Sequence, residues 1–84
     1  MGIIIISVRF LHNGDTAVFN GDDITFRTHE VKRYNSVKDA KKDLSELKKR
    51  MRREYARDYS YDIAICEGEW NENGELVRGY PVAR

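Results

Sequence analysis

Between Val37 and Tyr55 the apolar residues are Val37, Ala40, Leu44, Leu47, Met51 and Tyr55, spaced 3, 4, 3, 4 and 4. That spacing places them in a narrow stripe along one side of an α-helix. Ser36 stands where an N-cap belongs, and Asp39 supplies a negative charge to the first turn, next to the positive end of the helix dipole. The pattern predicts a helix from Ser36 to Arg57, roughly 33 Å long at about 1.5 Å per residue. A helix with one oily seam needs one flat apolar layer to lie on, and the rest of the chain reads as strand.

Residues 3–12 (IIIISVRFLH) are β-branched and aromatic, and from Ile4 onward Ile4, Ile6, Val8 and Phe10 alternate with Ser7 and Arg9. This is a strand with one apolar face. Asn13-Gly14-Asp15 has the chemistry of a tight hairpin turn, and Thr16–Phe19 returns as a second strand. Asn20-Gly21-Asp22-Asp23 turns the chain again into a predicted third strand, Ile24–Tyr34, with Ile24 and Phe26 on one face and a polar, edge-like second half. After the helix, Tyr61–Trp70 is apolar on both faces at Ile63-Ala64-Ile65-Cys66, as an interior strand is. Asn71-Glu72-Asn73-Gly74 makes a turn into a fifth strand, Glu75–Val82, which Pro81 assigns to an edge. The expectation is one domain over residues 1–84, an α+β fold of order β-β-β-α-β-β: a mostly antiparallel five-stranded sheet with one long helix packed across one face.

Charge is where composition matters. The net charge of +1 hides a separation by segment. Residues 1–35 hold four cations and four anions, residues 36–59 nine and five, and residues 60–84 two and five. The helix carries Lys48, Lys49, Arg50, Arg52, Arg53 and Arg57, with Glu46 placed to pair with Arg50 and Glu54 with Arg57. The hairpin after it carries Glu67 and Glu69 on one face of the fourth strand, Glu72 and Glu75 about its turn, and Trp70 at the strand end. A field with two poles favours docking onto something charged.

Catalysis and metal binding find little to build on. His12, His29 and Cys66 fall on three different predicted strands, whereas zinc needs four converging ligands. Cys66 sits in the most apolar strand, where a thiol behaves as a small hydrophobe. The glycines are turn glycines, and none makes a phosphate-cradling loop ahead of a helix. No catalytic residue, metal or cofactor is expected, and no enzyme. The apolar run Ile3–Ile6 is too short for a secretory signal or a membrane span, and a sole cysteine suits a reducing compartment, so a cytoplasmic setting is expected.

The function these features suggest is binding. The first expectation is a small non-enzymatic protein acting through protein–protein interaction or self-association, with Lys48, Lys49, Arg50, Arg52, Arg53, Arg57, Glu67, Glu69 and Trp70 as contact residues. A short inhibitor or accessory protein encoded by a phage or mobile element is a sub-case of that reading. The alternative is a nucleic-acid-binding domain in which the helix cations meet phosphates and Tyr55 and Tyr59 stack on bases. A helix-turn-helix is excluded on pattern, because no helix precedes this one.

Overall fold

In the computed structural model, which describes residues 3–54 and 60–83, the isoleucine-rich start of the chain forms β1 (Ile3–Phe10), the middle strand of a five-stranded sheet. Its neighbours are β2 (Thr16–Phe19) and β4 (Tyr61–Trp70), and the edges are β3 (Ile24–Thr25) and β5 (Leu76–Ala83), in the order β3-β2-β1-β4-β5. All pairings between these strands are antiparallel. The single long helix, α1 (Val37–Glu54), packs on β1 and β4. The α+β architecture read from the sequence is therefore the one observed.

Local chemistry explains the turns. Gly14 and Gly74 both have positive φ, 77° and 79°, which L side chains rarely adopt. At the second turn the Asn71 side-chain oxygen accepts from the Asn73 and Glu75 amides, each at 2.9 Å. Ser36 caps α1, its hydroxyl oxygen accepting from the Asp39 amide at 3.2 Å. Of the stripe, Ala40, Leu44, Leu47 and Met51 are buried and Val37 is half-buried against the same core. The predicted continuation through Tyr55 to Arg57 lies outside the described residues.

Register fixes which side chains meet. β1 and β4 align Ile6 with Ile65 and Val8 with Ile63, on the helix side, and Ile5 with Cys66 and Ser7 with Ala64 on the other. The helix-side core adds Phe10, Ala17 and Phe19. The opposite face has a smaller core of its own, Ile5, Val18, Val31, Ala64 and Cys66, partly closed by Ile3, Trp70 and Leu76. Reading β1 as apolar on one face therefore missed the pair Ile3 and Ile5. Each Val, Leu, Ile or Met side chain fully buried in either cluster stabilises the fold by about 1.5–3 kcal/mol.

The predicted third strand, Ile24–Tyr34, is corrected. Pairing stops at Thr25, whose hydroxyl accepts from the Arg27 amide at 3.1 Å, and a local side-chain bond of this kind competes with a ladder. A short 3₁₀ turn, Thr28–Glu30, follows. Phe26 does not share a buried face with Ile24 but is 61% exposed, its ring 6.1 Å from that of Phe10. The chain then re-enters beside β1, where Tyr34 exchanges backbone bonds with Ile4 and the Lys32 amide donates to the Phe19 carbonyl at 2.9 Å. Four-residue β2 ends before it reaches Ile4, and Tyr34 pairs there instead.

Both sheet edges are blunted. β3 is two residues long. On β5 the bonding phase decides what faces outward. Ile4 bonds to Tyr34 on the β2 side and Leu11 to Ser60 on the β4 side, so odd-numbered β1 residues, Ile5 among them, bond to β4. Cys66, opposite Ile5, therefore turns toward β1, and its β5 partner Pro81 turns toward the open edge. With no N–H there, and with two register shifts along the β4–β5 pair, the edge is a poor template for another strand.

Candidate functional site

At 3.6 residues per turn, α1 divides its surface into three zones. The apolar stripe faces the sheet. One flank carries Asp39, Asp43, Glu46, Arg50 and Glu54. The other side is cationic along its whole length: Lys38, Lys41, Lys48 and Arg52, with Ser45 among them, recur at spacings of 3, 4, 3 and 4, and Lys42, Lys49 and Arg53 lie beside them. Lys48 is half-buried and the other six cations are exposed.

The first flank is tied into its own chain. The Lys32 ammonium and the Tyr34 hydroxyl both donate to one Asp43 oxygen, at 2.8 and 2.6 Å. These donors, Lys32 first, hold the Asp43 carboxyl below its ordinary range. Burial, then the hydrogen bond to Asp43 and its charge, push the Tyr34 phenol well above its ordinary value. Arg50 reaches the turn between β2 and β3, donating to the Asp22 carbonyl and lying 3.9 Å from the Asp23 carboxylate. The expected Glu46–Arg50 pair is absent from the salt bridges among the described residues. Arg50 follows the closer carbonyl and carboxylate of that turn instead.

The cationic side has no such ties. Among the described residues, none of its seven cations forms a salt bridge or side-chain hydrogen bond. It borders a cleft of about 320 Å³ lined by Lys48, Arg52, Tyr61, Asp62 and Ile63. A second hollow, of about 290 Å³, continues past Lys48 to Ser45, Leu44 and Lys41. The two hollows have Lys48 in common, the first lying between α1 and the start of β4 and the second on α1 itself.

The sequence-predicted contact residues separate into groups. Lys48, Lys49, Arg52 and Arg53 stay together on the cationic side, Arg50 belongs to the opposite flank, and Arg57 lies outside the described residues, as do Tyr55 and Tyr59. Glu67 and Glu69 are exposed, further along β4 from the cleft, roughly 13 and 20 Å beyond Ile63 at about 3.3 Å per strand residue. The Tyr80 hydroxyl donates to Glu69 at 3.0 Å. Trp70 packs into the core of the opposite sheet face, with the Arg33 guanidinium 4.2 Å above its ring. Lys38, Lys41 and Lys42 lie on the same side but do not belong to the run of consecutive cations. Their signal was present as the 3-4-3-4 recurrence that continues Lys48 and Arg52 backward.

The residues considered for chemistry lie apart. His12 follows β1 with its ring 6.1 Å from Phe10, His29 is exposed beside Glu30, and Cys66 is buried against the Ser7 hydroxyl at 3.1 Å. Among the described residues no group of three or more His, Cys, Asp or Glu is placed to hold a metal ion. No described helix is long and apolar enough to cross a membrane. No protein-family model, curated protein or solved structure matches this chain.

Proposed function

We propose that this chain is a non-catalytic binding protein whose working surface is the cationic side of α1, docked onto an anionic surface of a partner. The observation that carries this reading is the asymmetry of one helix. Asp43 and Arg50 on one flank are engaged with Lys32, Tyr34 and the Asp22–Asp23 turn, whereas the seven cations on the other side have no such partner among the described residues. Seven like charges along roughly 21 Å of helix repel one another mildly in water, and an anionic partner relieves that repulsion.

The setting proposed for it is the reducing interior of a cell, in keeping with a sole, buried cysteine. A protein partner and a second copy of the chain are both compatible with this surface, as is a role for the chain itself as an inhibitor encoded by a phage or mobile element. The acidic hairpin is at the other end of β4 and serves as the opposite pole, which orients approach rather than sharing the contact.

Affinity capture tests the reading, run from the native host with and without nuclease, using wild type and the variant Lys41→Glu, Lys48→Glu, Arg52→Glu. A partner held by wild type and released by the variant is expected. Equal retention by both would place the working surface elsewhere. For self-association, mass in solution at low and high salt is decisive: a salt-independent monomer removes it.

A further inference from the structure

We infer that the anionic partner of this surface is the sugar–phosphate backbone of a single-stranded nucleic acid, running along the cationic row of α1 with Tyr61 as a stacking platform for one base. The inference rests on the docking reading above and names the partner class.

Three features favour a nucleic-acid strand over an acidic protein. First, the cationic side holds five lysines and two arginines. Protein–protein contact cores are depleted in lysine and built on aromatic or arginine anchors, whereas lysine serves phosphate well as a point charge. The large exposed apolar residues, Leu11, Phe26, Val77, Tyr80 and Val82, belong to other elements. Second, the row Lys38, Lys41, Ser45, Lys48 and Arg52 is linear, advancing about 4.5–6 Å at each step, which suits a repeating charged polymer. Third, Tyr61, half-buried against the helix-side core, lines the same cleft as Lys48 and Arg52, which sets an aromatic residue beside cations, the pairing used to bind unpaired strands.

The other flank argues for one strand rather than a duplex. A helix seated in a major groove passes between two phosphate backbones. Here the flank opposite the cationic row carries Asp39, Asp43, Glu46 and Glu54, which would face the second backbone and be repelled by it. Asp62 is the carboxylate lining the cleft itself.

Fluorescence anisotropy with labelled 20-nucleotide oligo-U and oligo-dT, their duplex counterparts and polyglutamate tests the inference across salt. The single strands bind, and log K falls with log salt at about 0.7 per phosphate contacted. Lys41→Gln, Lys48→Gln, Arg52→Gln makes that slope shallower by about 2. Tyr61→Leu weakens binding roughly tenfold with the slope unchanged, and Tyr61→Phe restores it. Thermal melts keep a folding defect from being mistaken for lost binding. Polyglutamate bound as tightly as the strands overturns the inference while leaving the docking reading intact, as does capture of a nuclease-insensitive partner on the same cations. Tighter binding to duplex overturns the single-strand assignment. No binding to the strands at 50 mM salt (about a 14 Å screening length) overturns the inference altogether.

Discussion

One flank of α1 is wired into its own chain through Asp43 and Arg50, while Lys41, Lys48 and Arg52 on the other side form no salt bridge or side-chain hydrogen bond among the described residues. Both are charged, both belong to one helix and both rest on the same seam of Ala40, Leu44, Leu47 and Met51. Counting charges does not tell them apart. What differs is the supply of partners nearby: the β2–β3 turn offers Asp22 and Asp23 to one flank and residues 32–34 offer Lys32 and Tyr34. The cationic side looks over β4 and its cleft. A charged residue engaged within its own chain serves stability; an unengaged one is available to another molecule.

The largest expected effect comes from the seam that both flanks share. Leu47→Ala leaves a cavity between α1 and the sheet and should cost about 2–5 kcal/mol in urea unfolding; a loss below 1 kcal/mol would mean that the helix does not rest there. Next is Asp43→Ala, which takes the acceptor from the Tyr34 hydroxyl and the counter-charge from Lys32, for about 1–3 kcal/mol. Arg50→Ala releases the β2–β3 turn and should cost about 1 kcal/mol. The smallest effect belongs to the cationic side: Lys41→Gln with Lys48→Gln should change stability by no more than about 0.5 kcal/mol. If that pair destabilises the fold as much as Asp43→Ala does, the functional distinction between the flanks fails.

Titration sharpens the same distinction at Asp43 and Tyr34. The Asp43 carboxyl is depressed in the folded state, so its contribution is complete above the ordinary carboxylate pKa of about 4 and is lost as pH falls below it. The Tyr34 phenol is raised in the folded state, so its contribution is complete below about pH 10 and is lost as pH rises further. Melting curves of wild type and Asp43→Ala should therefore draw together as pH falls below about 4, and wild type should lose stability again above about pH 10. A gap between the two proteins that is unchanged down to pH 2 would exclude the acid half of this linkage.

Local patterns in the chain disclose the helix, its cap, the interior position of β4, the edge position of β5 and the glycine turns, because each depends on residues close in sequence. Non-local supply is what they do not disclose. The break after Thr25 depends on how short β2 is and on β1 offering Ile4 to Tyr34, thirty positions away. Likewise Glu46 is the natural helical partner for Arg50 until folding brings Asp22 and Asp23 alongside. At the candidate site the difference is one of period. Consecutive cations drew attention to Lys48–Arg53, whereas a helix surface is read every three or four residues, and that reading adds Lys38, Lys41 and Lys42 and removes Arg50. Trp70, expected as an interface anchor, turns to the smaller core because its strand alternates it away from Glu67 and Glu69.

The chain's one thiol, Cys66, sits beneath that smaller core with 2% of its surface exposed. A thiol reagent can attack it only when the packing around it, from Ser7 of β1 to Gly79 of β5, opens. The rate at which such a reagent labels Cys66 is therefore a built-in clock for opening of the helix-free side of the sheet, readable without adding a probe to the cationic helix at all.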